Sequence, residues 1–477
     1  MKSSLLAKLA ANESLVKCSL VIALFLGTFL VYKMLQKPAI YNATLKKVTH
    51  TYSRDTVIKG VIWKTDAPYY YRDEQNSRRW DAASYANIKE NYYNADERDY
   101  GFFPLFPLLW AFSGISILYI GLFNYLLFGS SIILLFNFFL KNSGASLAER
   151  FCVFALSLTL PPIVVFYMPY AEALFVLTFA LAIYGLIKNS YPLFFISILL
   201  FAMARPVFVI TGLSFVILDL LYFIKHKSIS HFIKELSLKL APLLLGSGIV
   251  FLMFYLNSGS FTKYFDTIHK YWNANFSIPK QITDWSVEGY GMSIFAIFFI
   301  IIPSLILFLS YFLKYIRADK TAEPPSIFKG DVDFIKTYFF NNSIVYFWGV
   351  FLFIIFFQAG TLNGLSRYII ASPFFFIFLF HFYSELKEFK LNRVVLISVA
   401  LLAGSFIMLT SQKELEPAFN FNDSGFFTLL LSFIYLFSLR FINDVLKVGS
   451  LLMLSIYNII WITYLYNIYL CDGWILT

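Results

Sequence analysis

The sequence predicts an all-α protein that crosses a membrane many times, and three observations carry that prediction. Of its 477 residues 59% are apolar and only 14% are charged, more oil than a water-soluble fold can hide. The apolar residues gather in runs of membrane-crossing length, each bounded by charge, Gly or Pro. The 57 Phe and 32 Tyr are spread along the whole chain, as expected of side chains that meet lipid within spans and anchor at its surface. Soluble enzymes, disordered tails and nucleic-acid modules are excluded. The net charge of +10 is an insertion signal before it is a polyanion site, because Lys and Arg accumulate in cytoplasmic loops. Cys18, Cys152 and Cys471 lie far apart and suggest neither a disulfide framework nor a thiolate metal site.

The chain is expected to form one integral membrane domain over residues 1–477. Lys2 and Lys8 precede an apolar run over residues 15–35, about the 20 residues needed to cross the hydrocarbon. It is longer than the apolar core of a secretory signal, and residues 33–38 offer no small-residue cleavage site, so a retained first span is expected. Residues 36–100 are too polar to cross. Together with the segment Gly101-Phe102-Phe103-Pro104-Leu105-Phe106-Pro107 and its continuation to residue 114, they are expected to form a large first outer loop with juxtamembrane helices. Further apolar runs follow at 115–139, 149–167, 171–187, 191–204, 207–224, 240–256, 291–313, 343–359, 368–383, 394–410, 425–439 and 449–470. Residues 386–477 thus hold additional C-terminal spans, and the whole amounts to roughly 11–13 transmembrane helices. The stretch 191–224, interrupted at Arg205-Pro206, reads equally as two spans or as one broken helix dipping into the membrane.

Short loops set the orientation. Alternate connections carry Lys141 and Arg150; Lys188; Lys225, Lys227, Lys234 and Lys239; Lys314, Arg317, Lys320, Lys329 and Lys336; Lys387, Lys390 and Arg393; and Arg440 and Lys447. These belong to the cytoplasmic side with the N-terminus. The opposite connections are poorer in cations, and 411–424 is net acidic through Glu414, Glu416 and Asp423. The long loop 36–100 carries many cations, but loops of that length are translocated largely regardless of charge.

Ionisable groups at span boundaries are costly and tend to mark function. Four fall on the outer face: Asp81, Glu172, Arg205 and Arg367. Each has a bland reading. Asp81 fits a solvated loop carboxylate or helix cap, Glu172 a carboxylate favoured at a helix start, and the two arginines snorkelling side chains. Their shared face argues against four coincidences: two carboxylates and two guanidiniums from four segments suit a phosphate-bearing substrate. The run Phe102–Pro107 reads as an interfacial helix entry, its prolines setting a break and its aromatics lying at headgroup depth. Asp331-Val332-Asp333 looks like a paired-acid metal site but stands in a cytoplasmic loop without a nucleotide-binding domain. His50, His226, His231, His269 and His381 show no ligand spacing, and CxxC, HExxH and phosphate-binding glycine loops are absent. No metal and no cofactor are expected.

At these residues the chain resembles the phosphatidylinositol-glycan class V mannosyltransferases and their bacterial relatives, of the GT-C glycosyltransferase superfamily. Trp80-Asp81 with Tyr85, followed by Phe102–Pro107, resembles that family's first-loop pattern of WD, an aromatic pair and FFPLYP. Pro162 with Tyr170-Ala171-Glu172-Ala173-Leu174-Phe175 resembles its proline and YSEALF segment. Ala204-Arg205 resembles its small-Arg element, and Ser366-Arg367-Tyr368 its SRY element. The likeness runs over residues 15–385. Departures are Phe106 where the family has tyrosine, Asn91-Tyr92-Tyr93 in place of Gly-Tyr, and Pro206 after the arginine. They bear on acceptor and sugar identity more than on fold.

The resemblance implies a GT-C fold and transfer of a hexose, mannose by family expectation, from a polyprenyl or dolichyl phosphate at the non-cytoplasmic face, with inversion. It casts Asp81 as the general base, with Arg205 or Arg367, or both, on the donor phosphate and Tyr368 adding a hydrogen bond. Glu172 would orient a sugar hydroxyl or an arginine, and Trp80, Tyr85 and Trp272 would stack on sugar rings. The partners implied are the lipid-linked phosphosugar, a glycolipid, glycan or protein acceptor, and membrane lipid; nucleic acid is not among them. A bacterial cytoplasmic membrane with the site facing outward is the expected location, or the endoplasmic reticulum if the chain is eukaryotic. The rival from another class is a transporter or flippase of lipid-linked sugars. It would call for internal repeats and paired broken helices, and no convincing repeat is present; a passive scaffold would not explain charges converging on one face.

Overall fold

The computed structural model describes residues 13–37, 39–40, 56–58, 61–63, 72–141, 144–279, 282, 287–317, 324–358, 360–385, 391–411 and 424–470. Helix α1 covers Glu13–Leu35. The first loop contributes a short antiparallel hairpin, β1 (Thr56–Ile58) and β2 (Val61–Trp63), then α2 (Asp81–Asn91), a 3₁₀ turn Glu97–Gly101 and α3 (Leu105–Ser113). The bundle continues with α4 (Ile117–Leu140), α5 (Leu147–Ser157), a 3₁₀ segment Pro161–Tyr167, α6 (Glu172–Ile187), α7 (Tyr191–Ala204), α8 (Phe208–His226) and α9 (Ile229–Ser258). Helix α10 (Lys263–Trp272) is a short outlier, after which α11 (Val287–Ala296) runs through a π turn into α12 (Ile302–Arg317). The remainder is α13 (Val332–Phe357), α14 (Leu365–Ile370), α15 (Pro373–Glu385), α16 (Leu391–Ser411), α17 (Ser424–Ser438) and α18 (Asp444–Leu470).

Every apolar run read from the sequence carries helix. Among the described residues, seven helices are long and apolar enough to cross a membrane, and α5 with the segment after it makes an eighth if that bent pair is one span. The chain is therefore built as a helical, polytopic integral membrane protein. Its core is aromatic to an unusual degree, with Phe128 stacked on Phe166 at 3.9 Å and Tyr346 on Phe374 at the same distance.

Two boundaries differ from the sequence reading and a third decides between its alternatives, each for a physical reason. The run 149–167 is not straight: its two halves meet at 63°, where Pro161 and Pro162 cannot continue the ladder of α5. The stretch 191–224 is two helices that run in opposite directions. Tyr191 of α7 donates to Leu238 O of α9 (3.3 Å) and Gly246 of α9 lies against Leu199 O and Ala202, so α7 and α9 are parallel. Gly212 and Asp219 of α8 meet Leu243 and Lys239 in reverse order, so α8 descends from the turn at Arg205-Pro206. Finally, α9 and α13 begin at Ile229 and Val332, well before the apolar runs 240–256 and 343–359, because charged residues are folded into their first turns.

Those charges are neutralised inside the bundle. Lys239 Nζ donates to both oxygens of Asp219 on α8 (2.7 and 2.9 Å) and lies 3.4 Å from Glu235 Oε2. Tyr338 of α13 donates to Asp219 (3.0 Å) and Ser326 donates to Glu235 (2.5 Å). A buried ammonium shared by two carboxylates removes the cost of leaving any of them alone in a poor dielectric. Asp331, read as half of an acid pair, instead caps α13: its Oδ1 accepts from the N–H groups of Asp333 and Phe334, both at 3.1 Å. Its carboxylate is thereby committed to the backbone.

The helix directions sort the molecule into two ends. One carries Lys17 against Asn137, Lys225 against Tyr315 O, and Lys447 against Glu149, together with Lys141, Arg150 and Lys188 at the helix ends beside them. The other carries α2, α3, α10 and the starts of α6, α8 and α14. The candidate site lies at this second end.

Candidate active site

Helix α2 places Asp81 at its first position. The preceding residue, Trp80, has φ +52° and ψ −130°, and the N–H of Ala82 donates to Arg79 O (3.0 Å). This is a tight turn of the mirror-image kind, in which glycine usually stands at the second position. A tryptophan there is strained by about 1–3 kcal/mol. Its half-buried ring packs on the core and holds the turn, so the start of α2 and the carboxylate it carries are set by packing rather than by local preference. One turn on, the ring of Tyr85 is buried edge-on to Phe102 and Phe106, at 5.2 Å from each. The Phe102–Pro107 segment and α2 thus share one aromatic cluster, and Phe106 fills its place there by packing.

Glu172 opens α6 and is completely buried. Its Oε1 accepts from Arg367 Nε and lies 3.1 Å from Arg205 Nη1; its Oε2 is buried with no hydrogen-bond partner among the described residues. Arg205 caps the end of α7 in extended backbone (φ −154°). Arg367 sits on the short helix α14, entered through Gly364 at φ +80°, a conformation that needs glycine. Arg367 Nη2 then reaches Asp81 Oδ2 at 2.7 Å. Asp81, Arg367, Glu172 and Arg205 therefore form one chain of contacts from four separate segments. Both arginine side chains are under 10% exposed, whereas that of Asp81 is 25% exposed and faces outward.

Each guanidinium lies on a tyrosine ring: Arg367 is 4.5 Å above Tyr170, and Arg205 is 5.1 Å from Tyr368 and 5.7 Å from Phe175. Tyr368 thus serves as a platform for Arg205, and its carbonyl accepts from Tyr346 (3.4 Å). Two carboxylates and two guanidiniums leave the cluster formally neutral. An arriving phosphate would find two preformed planar cations, one of them occupied on its outer side by Asp81.

The structure brings Asp81, Glu172, Arg205, Arg367, Tyr368 and Tyr85 together; Tyr85 feels the charges of all four ionised residues. Trp80 flanks them. Trp272 stands apart: at the end of α10 its ring lies over Gly101, where an added Cβ would come within 2.9 Å of it, and 5.8 Å from Phe102. It packs on Gly101 and on Phe102, whose ring in turn meets Tyr85.

Three residues escaped the sequence reading. Tyr170 was legible in the Tyr170-to-Phe175 segment, but its role as the seat of Arg367 was not. Tyr264, partly buried on α10, lies within electrostatic reach of Arg205 and Tyr368 and packs on Phe103 at 5.6 Å. Asp99, in the 3₁₀ turn, is buried beneath Ser84 and Asn87 of α2, and burial pushes its carboxyl up to about 6. No signal in a loop rich in acids singled it out. Neighbouring Glu97 is the contrary case: Lys270 (2.6 Å) and Lys263 (3.1 Å) hold its carboxyl down at about 2.

No protein-family model matches the sequence, and neither a curated protein nor a solved structure matches the chain.

Proposed function

We propose that the chain is a membrane glycosyltransferase of the GT-C kind that moves a hexose from a polyprenyl or dolichyl phosphate to an acceptor hydroxyl, with inversion. Mannose is the sugar the resemblance implies. The observation that carries the reading is the run of contacts Asp81–Arg367–Glu172–Arg205, which joins one outward-facing carboxylate to two buried cations. In this reading the acceptor oxygen attacks the anomeric carbon and its proton passes to Asp81. The bond from that carbon to the phosphate oxygen breaks on the opposite face, and Arg205 and Arg367 stabilise the charge left on the departing phosphate.

Because Arg367 holds Asp81 in the free site, a phosphate oxygen competes for that guanidinium, and donor binding releases the base. Glu172 keeps both arginines in place and offers Oε2 to a sugar hydroxyl. Trp80 borders the sugar, while Tyr85 and Trp272 belong to the aromatic packing beside it. A lipid donor also suits the setting. Its chain stays in the bilayer while its head meets the polar cluster, with the shorter helices α6, α7, α16 and α17 completing the roughly 11–13 crossings of a GT-C fold. The segregation of short basic loops at the far end supports an outward-facing site, in the cytoplasmic membrane of a bacterium or, in a eukaryote, the endoplasmic reticulum.

The test is sugar transfer in liposomes containing the purified protein, a radiolabelled polyprenyl-phosphate mannose and a membrane glycolipid extract. Movement of labelled glycolipid across the bilayer with no new glycosidic bond would favour the transporter or flippase instead.

A further inference from the structure

The segment 259–279 runs between α9 and α13 at the site end of the bundle, and its central helix α10 carries large exposed apolar side chains beside its ion pairs. One side of α10 meets the 3₁₀ turn: Lys263, Lys270 and Tyr271 converge on the half-exposed Glu97, and the buried Thr267 donates to Glu97 O (3.4 Å). At 100° per residue, Phe265 lies on the side opposite that contact, whereas the ring of Trp272 folds back over Gly101. Phe265 is 55% exposed and Trp272 48%, and the stretches flanking the helix add Phe261, Phe276 (68%) and Ile278 (80%). Large apolar side chains left this exposed beside membrane-length helices are the kind of surface that meets another apolar phase.

Both ends of the segment join lipid-facing surfaces of spanning helices. Phe261 is stacked on Tyr255 of α9 at 4.2 Å, beside exposed Leu252 and Leu256. Phe276 is stacked on Phe356 of α13 at 5.7 Å, Ser277 N donates to Phe356 O (2.8 Å), and Phe353 and Phe357 beside it are exposed. The apolar band thus continues, without a break in character, from one membrane-length helix to the next. Its aromatic content and its height at the ends of spans are those of an interfacial belt.

We propose that residues 259–279 form a strap seated in the headgroup layer of the bilayer, with Phe261, Phe265, Phe276 and Ile278 dipping into lipid and Tyr264 on the inner side roofing Arg205. The partner is phospholipid at the interface, in the manner of an amphipathic helix lying in the membrane plane. The site then opens at lipid level, under a roof fastened to the catalytic loop by Glu97 and Trp272. This placement holds whether or not the site transfers sugar.

The test uses the full chain in phosphatidylcholine vesicles, with Cys18→Ala and Cys471→Ala and a bimane label introduced at Phe265→Cys, Phe276→Cys or Lys270→Cys. At 265 and 276 the label should be quenched by lipids brominated near the headgroup more than by lipids brominated near the chain ends, and should resist aqueous iodide. At 270, on the side that meets Glu97 and exposed there, the order should reverse. Iodide quenching at 265 equal to that at 270 would place the strap in water and overturn the proposal. Protection from both quenchers would mean a protein partner or a second copy covers it, which overturns it equally. Should the labelled variants fail to fold, the unlabelled protein and its Trp272→Phe variant give the same answer. The emission lost on that substitution should be the part most sensitive to shallow brominated lipid, and equal sensitivity in the two proteins would contradict the placement.

Discussion

Replacing Glu172 with Ala removes the carboxylate that touches both Arg205 and Arg367 and leaves two guanidiniums buried with Asp81 as the remaining acid in their chain of contacts. At an effective dielectric near 20, opposite unit charges about 3 Å apart attract by about 5 kcal/mol. Repulsion between the two arginines and the cost of burying all three groups offset much of that. Breaking a buried pair by removing one partner costs about 3–5 kcal/mol in practice, and we expect that loss for Glu172→Ala. Glu172→Gln keeps an acceptor oxygen for one guanidinium and should lose less, about 2–3 kcal/mol, on the scale of a charge-assisted hydrogen bond. The double variant Glu172→Ala with Arg205→Met removes one orphaned charge and should cost less than the sum of its single changes. The assay is denaturant unfolding in mixed micelles, followed by tryptophan emission. A Glu172→Ala protein within about 0.5 kcal/mol of wild type, or strict additivity in the cycle, would refute the argument that this carboxylate holds the arginines.

The buried Asp99 binds its proton more tightly folded than unfolded, since its carboxyl is raised from 3.8 to about 6. Its contribution therefore declines as pH rises from about 4 to 6 and stays at the lower level above that, a difference of about 3 kcal/mol. Asp99→Asn should remove this dependence and stabilise the protein at pH 7 without changing it at pH 4, as thermal unfolding across that range in detergent will show. Gly246→Ala would set a methyl group 2.4 Å from Leu199 O and should force α7 and α9 apart, at a cost of about 1–3 kcal/mol. Two residues along the same helix, an added Cβ at Gly248 meets nothing within 4 Å. Gly248→Ala should therefore stabilise by about 0.5–1 kcal/mol from helix preference alone, and paired unfolding midpoints of the two variants test the opposite signs.

The spans were legible because a bilayer demands a fixed length of apolar chain, a constraint that survives ignorance of packing. Helix starts were not legible where charge enters the fold. Lys239 and Glu235 look like loop residues until Asp219, on another helix, is seen to neutralise them. The same holds for α13, whose polar first turns hid behind Asp331, a residue that proved to be a cap. The four charged site residues could be found because ionised groups at span boundaries are rare. The aromatic seats of the arginines could not, since one more Tyr in a chain that is 20% aromatic carries no signal. Nor does any sequence rule announce that Trp80 adopts a backbone conformation normally left to glycine; that follows from the packing around Asp81.

The measurement closest to the central claim compares wild type and Asp81→Asn in liposomes supplied with radiolabelled polyprenyl-phosphate mannose and an acceptor glycolipid extract, with folding checked by size-exclusion profile. The account predicts transfer by the wild type and none by the Asn variant, because the amide cannot take the acceptor's proton. Full transfer by folded Asp81→Asn would contradict the assignment of the base. No transfer by the wild type, with donor and acceptor shown to be present, would turn the account toward another sugar or toward transport.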